Sequence, residues 1–160
     1  FSKAVFSKDK TFHYLPYNFI QSRFELNFLK EVISLAPFMD NGLEIYYNGE
    51  KHITEFCIVC YENKNDRWRK VGKYTPDFLV INRKDSGIHK ILIVETKGSG
   101  FADQPEFKAR RKFVESEFLK MNNEKFGYNR FDYLYLPDST TMNDNLLSFK
   151  SKIDTFFKEN

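Results

Sequence analysis

The sequence predicts an α/β domain in which a mixed β-sheet is flanked by helices. Three observations point there. Two apolar runs, Phe78–Ile81 and Ile91–Val94, face each other across the polar turn stretch Arg83–Gly87, the pattern of a β-hairpin. Segments with helical spacing of apolar residues lie before and after that hairpin. A further strand-like run, Phe131–Leu136, follows the second helical segment. The core order is therefore helix, three strands, helix, strand, an α/β sandwich with a mixed sheet.

Element by element, short strands are expected around Ala4–Phe6 and Thr11–Tyr14, before Pro16. A helix is expected from Ser22 to Ala36, stopped ahead of Pro37. Its apolar positions Phe24, Phe28, Val32 and Leu35, flanked by Leu29 and Ile33, recur at helical spacing. Asp40-Asn41-Gly42 predicts a turn and Leu43–Tyr47 a strand. Asn48-Gly49 is a hairpin signal. Strands are expected at Thr54–Tyr61 and Trp68–Gly72. Beyond the central hairpin, Gly98-Ser99-Gly100 breaks the chain. A helix is expected from Gln104 to Met121, with Pro105 suited to its first turn. Pro137 ends the last strand. Asp144–Lys158 reads as a final helix contacting the core through Leu147, Ile153, Phe156 and Phe157.

The chain has 160 residues, the size of one domain. It begins at Phe1 and not Met, so a domain cut from a larger protein is expected. Eighteen Phe predict an aromatic-rich core. A formal charge of +3 is too mild to announce nucleic-acid binding, so the distribution of charge must carry that argument. The two cysteines, Cys57 and Cys60, exclude a disulfide framework. With no second pair to complete a zinc site, they read as a buried, reduced strand pair suited to a reducing cytoplasm. No apolar run reaches the ~18 residues of a membrane span, and no signal-peptide core is present. His13, His52 and His89 have no metal-ligand spacing. No Gly-rich phosphate loop is present, so any ATPase motor belongs elsewhere in the parent chain.

The hairpin carries the chemistry. With its turn centred near Ser86, residue i pairs with residue 172 − i, and Asp77 falls opposite Glu95. Directly paired residues on antiparallel strands share a face, with Cβ atoms about 5 Å apart. Alternation adds Lys97 to that face and turns Thr96 away. Two carboxylates and an amine converging at a sheet end suit a divalent cation beside a lysine, because like charges that close need a cation between them. The alternative is a solvated sheet rim with a surface salt-bridge cluster.

Pro76-Asp77, then seventeen residues, then Glu95-Thr96-Lys97 matches the motif of the PD-(D/E)XK nuclease superfamily, which the chain resembles. The phrases Tyr74-Thr75-Pro76-Asp77-Phe78 and Val94-Glu95-Thr96-Lys97-Gly98 look most like the C-terminal endonuclease domain of type III restriction helicase–nuclease subunits. The resemblance covers most of the chain, leaving residues 1–17 and the last helix outside it. It implies a restriction-endonuclease-like sandwich of core order αβββαβ, and one nuclease-like domain over residues 1–160. The activity it implies is metal-dependent hydrolysis of DNA phosphodiesters, leaving a 5′-phosphate and a 3′-hydroxyl. Asp77 and Glu95 would ligate Mg²⁺, with Mn²⁺ able to substitute, and the Thr96 carbonyl would add a ligand. Lys97 would position or activate the attacking water. Many members add an acid from the first helix. Glu25 is the candidate here, ahead of Glu31, although Ser22-x-x-Glu25 also reads as a capping box. The implied partners are DNA, the helicase/ATPase portion of the same chain and a methyltransferase/specificity subunit, with no membrane. The rival readings are a catalytically silent DNA-binding or assembly module on the same fold, and a protein-binding domain with an aromatic surface.

Basic residues cluster twice. Arg67, Arg69, Lys70 and Lys73 surround Trp68, and Lys108, Arg110, Arg111 and Lys112 lie on the helix after the motif. Lys108 is the leading candidate for a phosphate contact, with Arg111, Lys73 and Arg69 beside it. Gln104, Lys108, Arg111 and Glu115 share one helix edge. The alternative there is a solvated charged face. Lys108 stands where some relatives carry the Tyr of a Gln-x-x-x-Tyr signature, so that subgroup's pattern is not met.

Overall fold

Residues 91–94 are buried on both faces of their strand, which is why they read as an unbroken apolar run and not as an alternation. The computed structural model describes residues 4–5, 17–18, 23–33, 35, 42–48, 56–97 and 102–158. Its central sheet has four strands in the order β3 (Glu44–Tyr47), β6 (Phe78–Lys84), β7 (Gly87–Lys97), β8 (Phe131–Pro137). β3 and β7 each run antiparallel to β6, and β8 runs parallel to β7. A parallel neighbour requires a crossover, and a helical stretch supplies it. It consists of α2 (Pro105–Phe113), a π-helical turn (Val114–Phe118) and α3 (Leu119–Phe126). The other helices are α1 (Arg23–Ile33) and α4 (Met142–Lys158). The architecture is mixed α/β, a mixed sheet with flanking helices, as expected.

Each face of the sheet has its own core. On one, α1 and α4 close over Phe78, Val80, Leu92 and Val94. Phe28 sits at the centre, 5.4 Å from Phe78 and 5.2 Å edge-on from Phe149 between ring centroids. Lys90, 1% exposed, spans to this helix and donates to the Phe156 carbonyl at 2.7 Å. A cation belongs at the carbonyl end of a helix. On the other face, Phe113, Val114, Ile58 and Cys60 cover Ile81, Ile91, Ile93 and Tyr133.

Several elements differ from expectation. The crossover helix runs beyond Met121 to Phe126, where Gly127 ends it at φ +77°. Asn122 and Asn123, poor helix formers, are held by bonds of their own. Asn122 donates to the Phe118 carbonyl, and Asn123 exchanges two bonds with the backbone of Phe131. The strands expected at 54–61 and 68–72 form a separate two-stranded ribbon, β4 (Ile58–Lys64) and β5 (Arg67–Tyr74). Its turn is Asn65-Asp66, both left-handed at φ 52° and 62°, a two-residue hairpin of the primed kind. β3 therefore pairs with β6 and not with the strand after Asn48; Gly49 lies outside the described residues. At the N-terminus, β1 (Ala4–Val5) pairs antiparallel with β2 (Tyr17–Asn18), while the strand expected at Thr11–Tyr14 lies outside the described residues. The last helix starts at Met142, two residues early, where the Thr141 hydroxyl accepts from the Asp144 N–H.

The cysteines are not a buried pair. Cys57 is exposed ahead of β4, and Cys60 is buried. Burial pushes the Cys60 thiol up to about 11. At pH 8 only about one Cys60 in a thousand is then thiolate. Iodoacetamide at that pH is expected to modify Cys57 alone, with Cys60 reacting only in denaturant. Peptide mass mapping checks this, and equal labelling of both thiols in the native chain would contradict it.

Candidate functional site

The hairpin β6–β7 turns through Asp85-Ser86, both left-handed at φ 53° and 67°. Beside the turn, Lys84 faces Gly87 and Arg83 faces Ile88. Those pairs obey a sum of 171, one less than expected, because the turn is centred between Asp85 and Ser86. From Ile81↔Ile91 to Phe78↔Val94 the sum is 172. A β-bulge makes the change: His89 and Lys90 of β7 together oppose Asn82. The Asn82 side chain accepts from the Lys90 N–H at 2.7 Å, satisfying the amide that the bulge takes out of the ladder. The ladder ends at Phe78↔Val94; continued one step, it would set Asp77 opposite Glu95, the pairing expected from a turn centred near Ser86.

Asp77 lies just outside β6. Its Oδ2 accepts from both the N–H and the hydroxyl of Thr96, each at 2.9 Å. This corrects the expectation that Thr96 turns away from the site. β6 ends at Phe78, so the Thr96 N–H has no strand carbonyl opposite it, and the Asp77 carboxylate takes that place. In an extended strand the N–H and C=O of one residue point to the same side. The Thr96 carbonyl therefore faces Asp77's side of β7.

The backbone at Pro76-Asp77 is pinned by Asn48, 2% exposed. Its N–H donates to the Asp77 carbonyl at 2.7 Å. Its side-chain amide donates to the carbonyls of Pro76 and Phe56, each at 3.0 Å. One buried amide thus ties β3, the approach to β4 and the motif together.

Glu95 is 3% exposed. The Tyr74 hydroxyl, at the end of β5, donates to its Oε2 at 2.6 Å. Burial first, and then the Glu95 charge, hold the Tyr74 hydroxyl well above its ordinary pKa. Tyr133 of β8 is raised too, mainly by burial and then by Glu95. Its buried hydroxyl lies near that of Tyr74, but the geometry falls short of a hydrogen bond. Both phenols therefore stay protonated at physiological pH. Tyr135, paired with Glu95 in the parallel register, lies under the Arg111 guanidinium at 4.3 Å.

The predicted residues are gathered unevenly. Asp77, Glu95 and Thr96 come together at one sheet end. Glu25 sits on the α1 side, where its Oε2 accepts from the Tyr47 hydroxyl at 3.0 Å. Tyr47 pairs with Phe78, so this acid is tethered to the same end of the sheet. Among the described residues, no three His, Cys, Asp or Glu side chains form a cation cage. Lys97 is in β7, paired with Pro137; its side chain lies outside the described residues, as do Gly98–Gly100.

The four predicted phosphate contacts also divide. Lys108 and Arg111 line an open groove of about 340 Å³ along α2 and the π-helical turn, with Lys112, Glu115 and Ser116. Lys108 pairs with Asp103 at 3.3 Å and Arg111 with Glu115 at 3.4 Å. Lys73 is exposed on β5. Arg69 is committed to Glu62 through two bonds of 2.9 and 2.7 Å, and sits five residues up the strand from Tyr74, roughly 16 Å away. Sequence reasoning missed Tyr74, Tyr133 and Asn48. Only Tyr74 carried a signal, as the head of the motif phrase.

Comparison with protein-family models, with curated proteins and with solved structures gives no match for this chain.

Tyr74→Phe removes the Tyr74 hydroxyl from a buried carboxylate oxygen. The variant is expected to lose about 1–3 kcal/mol of stability at pH 7, read from urea unfolding. Wild-type stability in the variant would show that the Tyr74–Glu95 bond contributes nothing net.

Proposed function

We propose that the chain is a metal-dependent DNA endonuclease domain of the PD-(D/E)XK type, the cleavage module of a restriction-type helicase–nuclease. The observation that carries this reading is the Asp77 carboxylate bonded to Thr96, next in sequence to the buried Glu95, where the β6–β7 ladder ends. The element order supports it as well. α1, β3, β6, β7, the α2–α3 crossover and β8 follow the αβββαβ order, with β4–β5 as an insertion.

The donor set fits a hard divalent cation. Asp77, Glu95 and the Thr96 carbonyl offer only oxygen, as Mg²⁺ requires, and Mn²⁺ accepts the same set. Bound there, the ion would polarise the scissile phosphate and lower the pKa of its own water. The chain's residues do the rest. Tyr74 and Thr96 fix the orientation of the two carboxylates. Glu25 would complete the acidic wall from the helix side. Lys97 would orient the attacking water and offset charge in the transition state. Lys108, Arg111, Lys73 and Arg69 would contact phosphates and set affinity without reading sequence. On this reading the parent chain supplies the motor, a methyltransferase/specificity subunit supplies the target site, and the enzyme works in the cytoplasm. Among the described residues, no helix is long and apolar enough to cross a membrane.

One observation favours the second reading, a silent DNA-binding or assembly module on the same fold. Asp77 and Glu95 each already accept bonds from protein donors. Plasmid nicking with Mg²⁺ or Mn²⁺, run beside DNA binding in chelator, separates the two. Lys97→Ala and Asp77→Ala are expected to lower nicking at least a hundredfold and leave chelator-phase binding within about twofold. Nicking by Lys97→Ala at the wild-type rate would rule the mechanism out, and binding without nicking under either metal would select the silent module.

A further inference from the structure

The β4–β5 ribbon pairs with no other strand among the described residues. Between Tyr61 and Lys73 it is almost wholly solvent-facing. That segment holds five cations (Lys64, Arg67, Arg69, Lys70, Lys73) and two acids (Glu62, Asp66). Its net +3 equals the formal charge of the entire chain.

The register sorts these side chains. Tyr61 faces Lys70 and Asn63 faces Trp68, so these four share one face. Glu62 with Arg69 and Lys64 with Arg67 occupy the other. On that second face Glu62 binds Arg69 and Lys64, at 2.7 and 3.7 Å, which braces the ribbon. On the first face Trp68 is 55% and Tyr61 41% exposed. Tyr61 leans on Phe113 at 6.0 Å between centroids, which fixes the inner end of the face. Lys70 has no acid partner among the described residues.

An indole left in water on a braced, basic ribbon contributes nothing to a core. Its flat face is available to another flat ring, and the cations beside it attract a polyanion. A duplex presents base edges in its grooves, whereas an unpaired strand presents base faces. We propose that the Tyr61–Trp68–Lys70 face of the β4–β5 ribbon is a stacking platform for the unpaired bases of single-stranded DNA. This deepens the nuclease reading by naming its substrate class, DNA with an unpaired segment, and rests on that reading for the choice of DNA.

Trp68 is the chain's single tryptophan, so intrinsic fluorescence reports on this position alone. The whole chain is titrated in EDTA with an oligothymidylate of about 12 nucleotides, with an abasic oligomer of equal length and charge, and with a duplex. Oligothymidylate is expected to quench the emission strongly and the other two weakly. Trp68→Ala is expected to bind oligothymidylate about tenfold more weakly and the abasic oligomer unchanged, with Trp68→Phe intermediate. Trp68 is exposed, so these variants empty no core, and circular dichroism confirms their folding. Equal affinities of wild type and Trp68→Ala would overturn the proposal, as would equal quenching by the abasic oligomer. Unaltered emission with all three DNAs would overturn it too, and would leave the face to a protein partner. Because no metal is present, a chain that binds and quenches but never nicks retains this platform and loses the nuclease, and nicking without quenching does the reverse.

Discussion

The site depends on one backbone irregularity, the bulge at which His89 and Lys90 share Asn82 as partner. Strand side chains alternate with period two, so a one-residue slip exchanges faces. Under the turn's own register Asp77 would pair with Val94, and the two acids would point to opposite sides of the sheet. Hydrophobic patterning does not forbid that slip. β7 is apolar on both faces through Ile91–Val94, and either register would bury the same residues. The discriminating element is polar: the Asn82 side chain satisfies the Lys90 amide, and Lys90 in turn reaches the carbonyl end of α4. Leaving either group buried and unpaired costs about 1–3 kcal/mol.

The neighbourhood of Glu95 follows the same logic. A buried carboxylate is tolerated only with donors or cations close by. Tyr74 comes from the inserted ribbon, Asp77 and Thr96 from the hairpin, and Tyr135 with Arg111 from the crossover side. Asn48 fixes the backbone between them. Side chains from separate elements meet there, with Tyr74 and Thr96 holding the two carboxylates through hydrogen bonds of 2.6–2.9 Å. The protonated Tyr74 acts as a donor to Glu95, not as a base.

Where the determinants were local, the sequence was readable. The apolar runs, the Asp85-Ser86 turn and the Phe131–Leu136 strand were all anticipated close to their limits. The expected register of the apolar runs, a sum of 172, was reached through a turn centre half a residue off, which the bulge makes good from Ile81↔Ile91 to Phe78↔Val94. Where long-range bonds compete with local signals, the reading failed. Asn48-Gly49 looks like a hairpin turn, yet Asn48 is spent on carbonyls 8 and 28 residues away. Asn122-Asn123 looks like a helix end, yet Asn123 is bound to Phe131 across the loop. Thr96 was assigned to the far face by alternation alone, which ignores that a strand ending early exposes its neighbour's N–H. Tyr74 meets Glu95 across 21 residues, a contact no pattern within either segment encodes.

β5 links the exposed ribbon face to the neighbourhood of Glu95. It carries Trp68 near one end and Tyr74, bonded to Glu95, at the other, six residues or about 20 Å apart. Between them Val71 is an extra residue in the β4–β5 ladder, and Gly72 follows at φ +136°. That backbone angle favours glycine, and the Arg110 guanidinium of α2 lies over it, 3.0 Å from where a Cβ would sit. The bulge increases strand twist and sets the ribbon's angle to the body. Arg110 sits on the same helix as Lys108 and Arg111. The joint therefore places the Trp68 end of β5, the α2 cations and Tyr74 along one connected stretch of structure. If the proposed platform holds, a strand bound at Trp68 would lie at a distance from Glu95 set by β5 and not by a flexible linker.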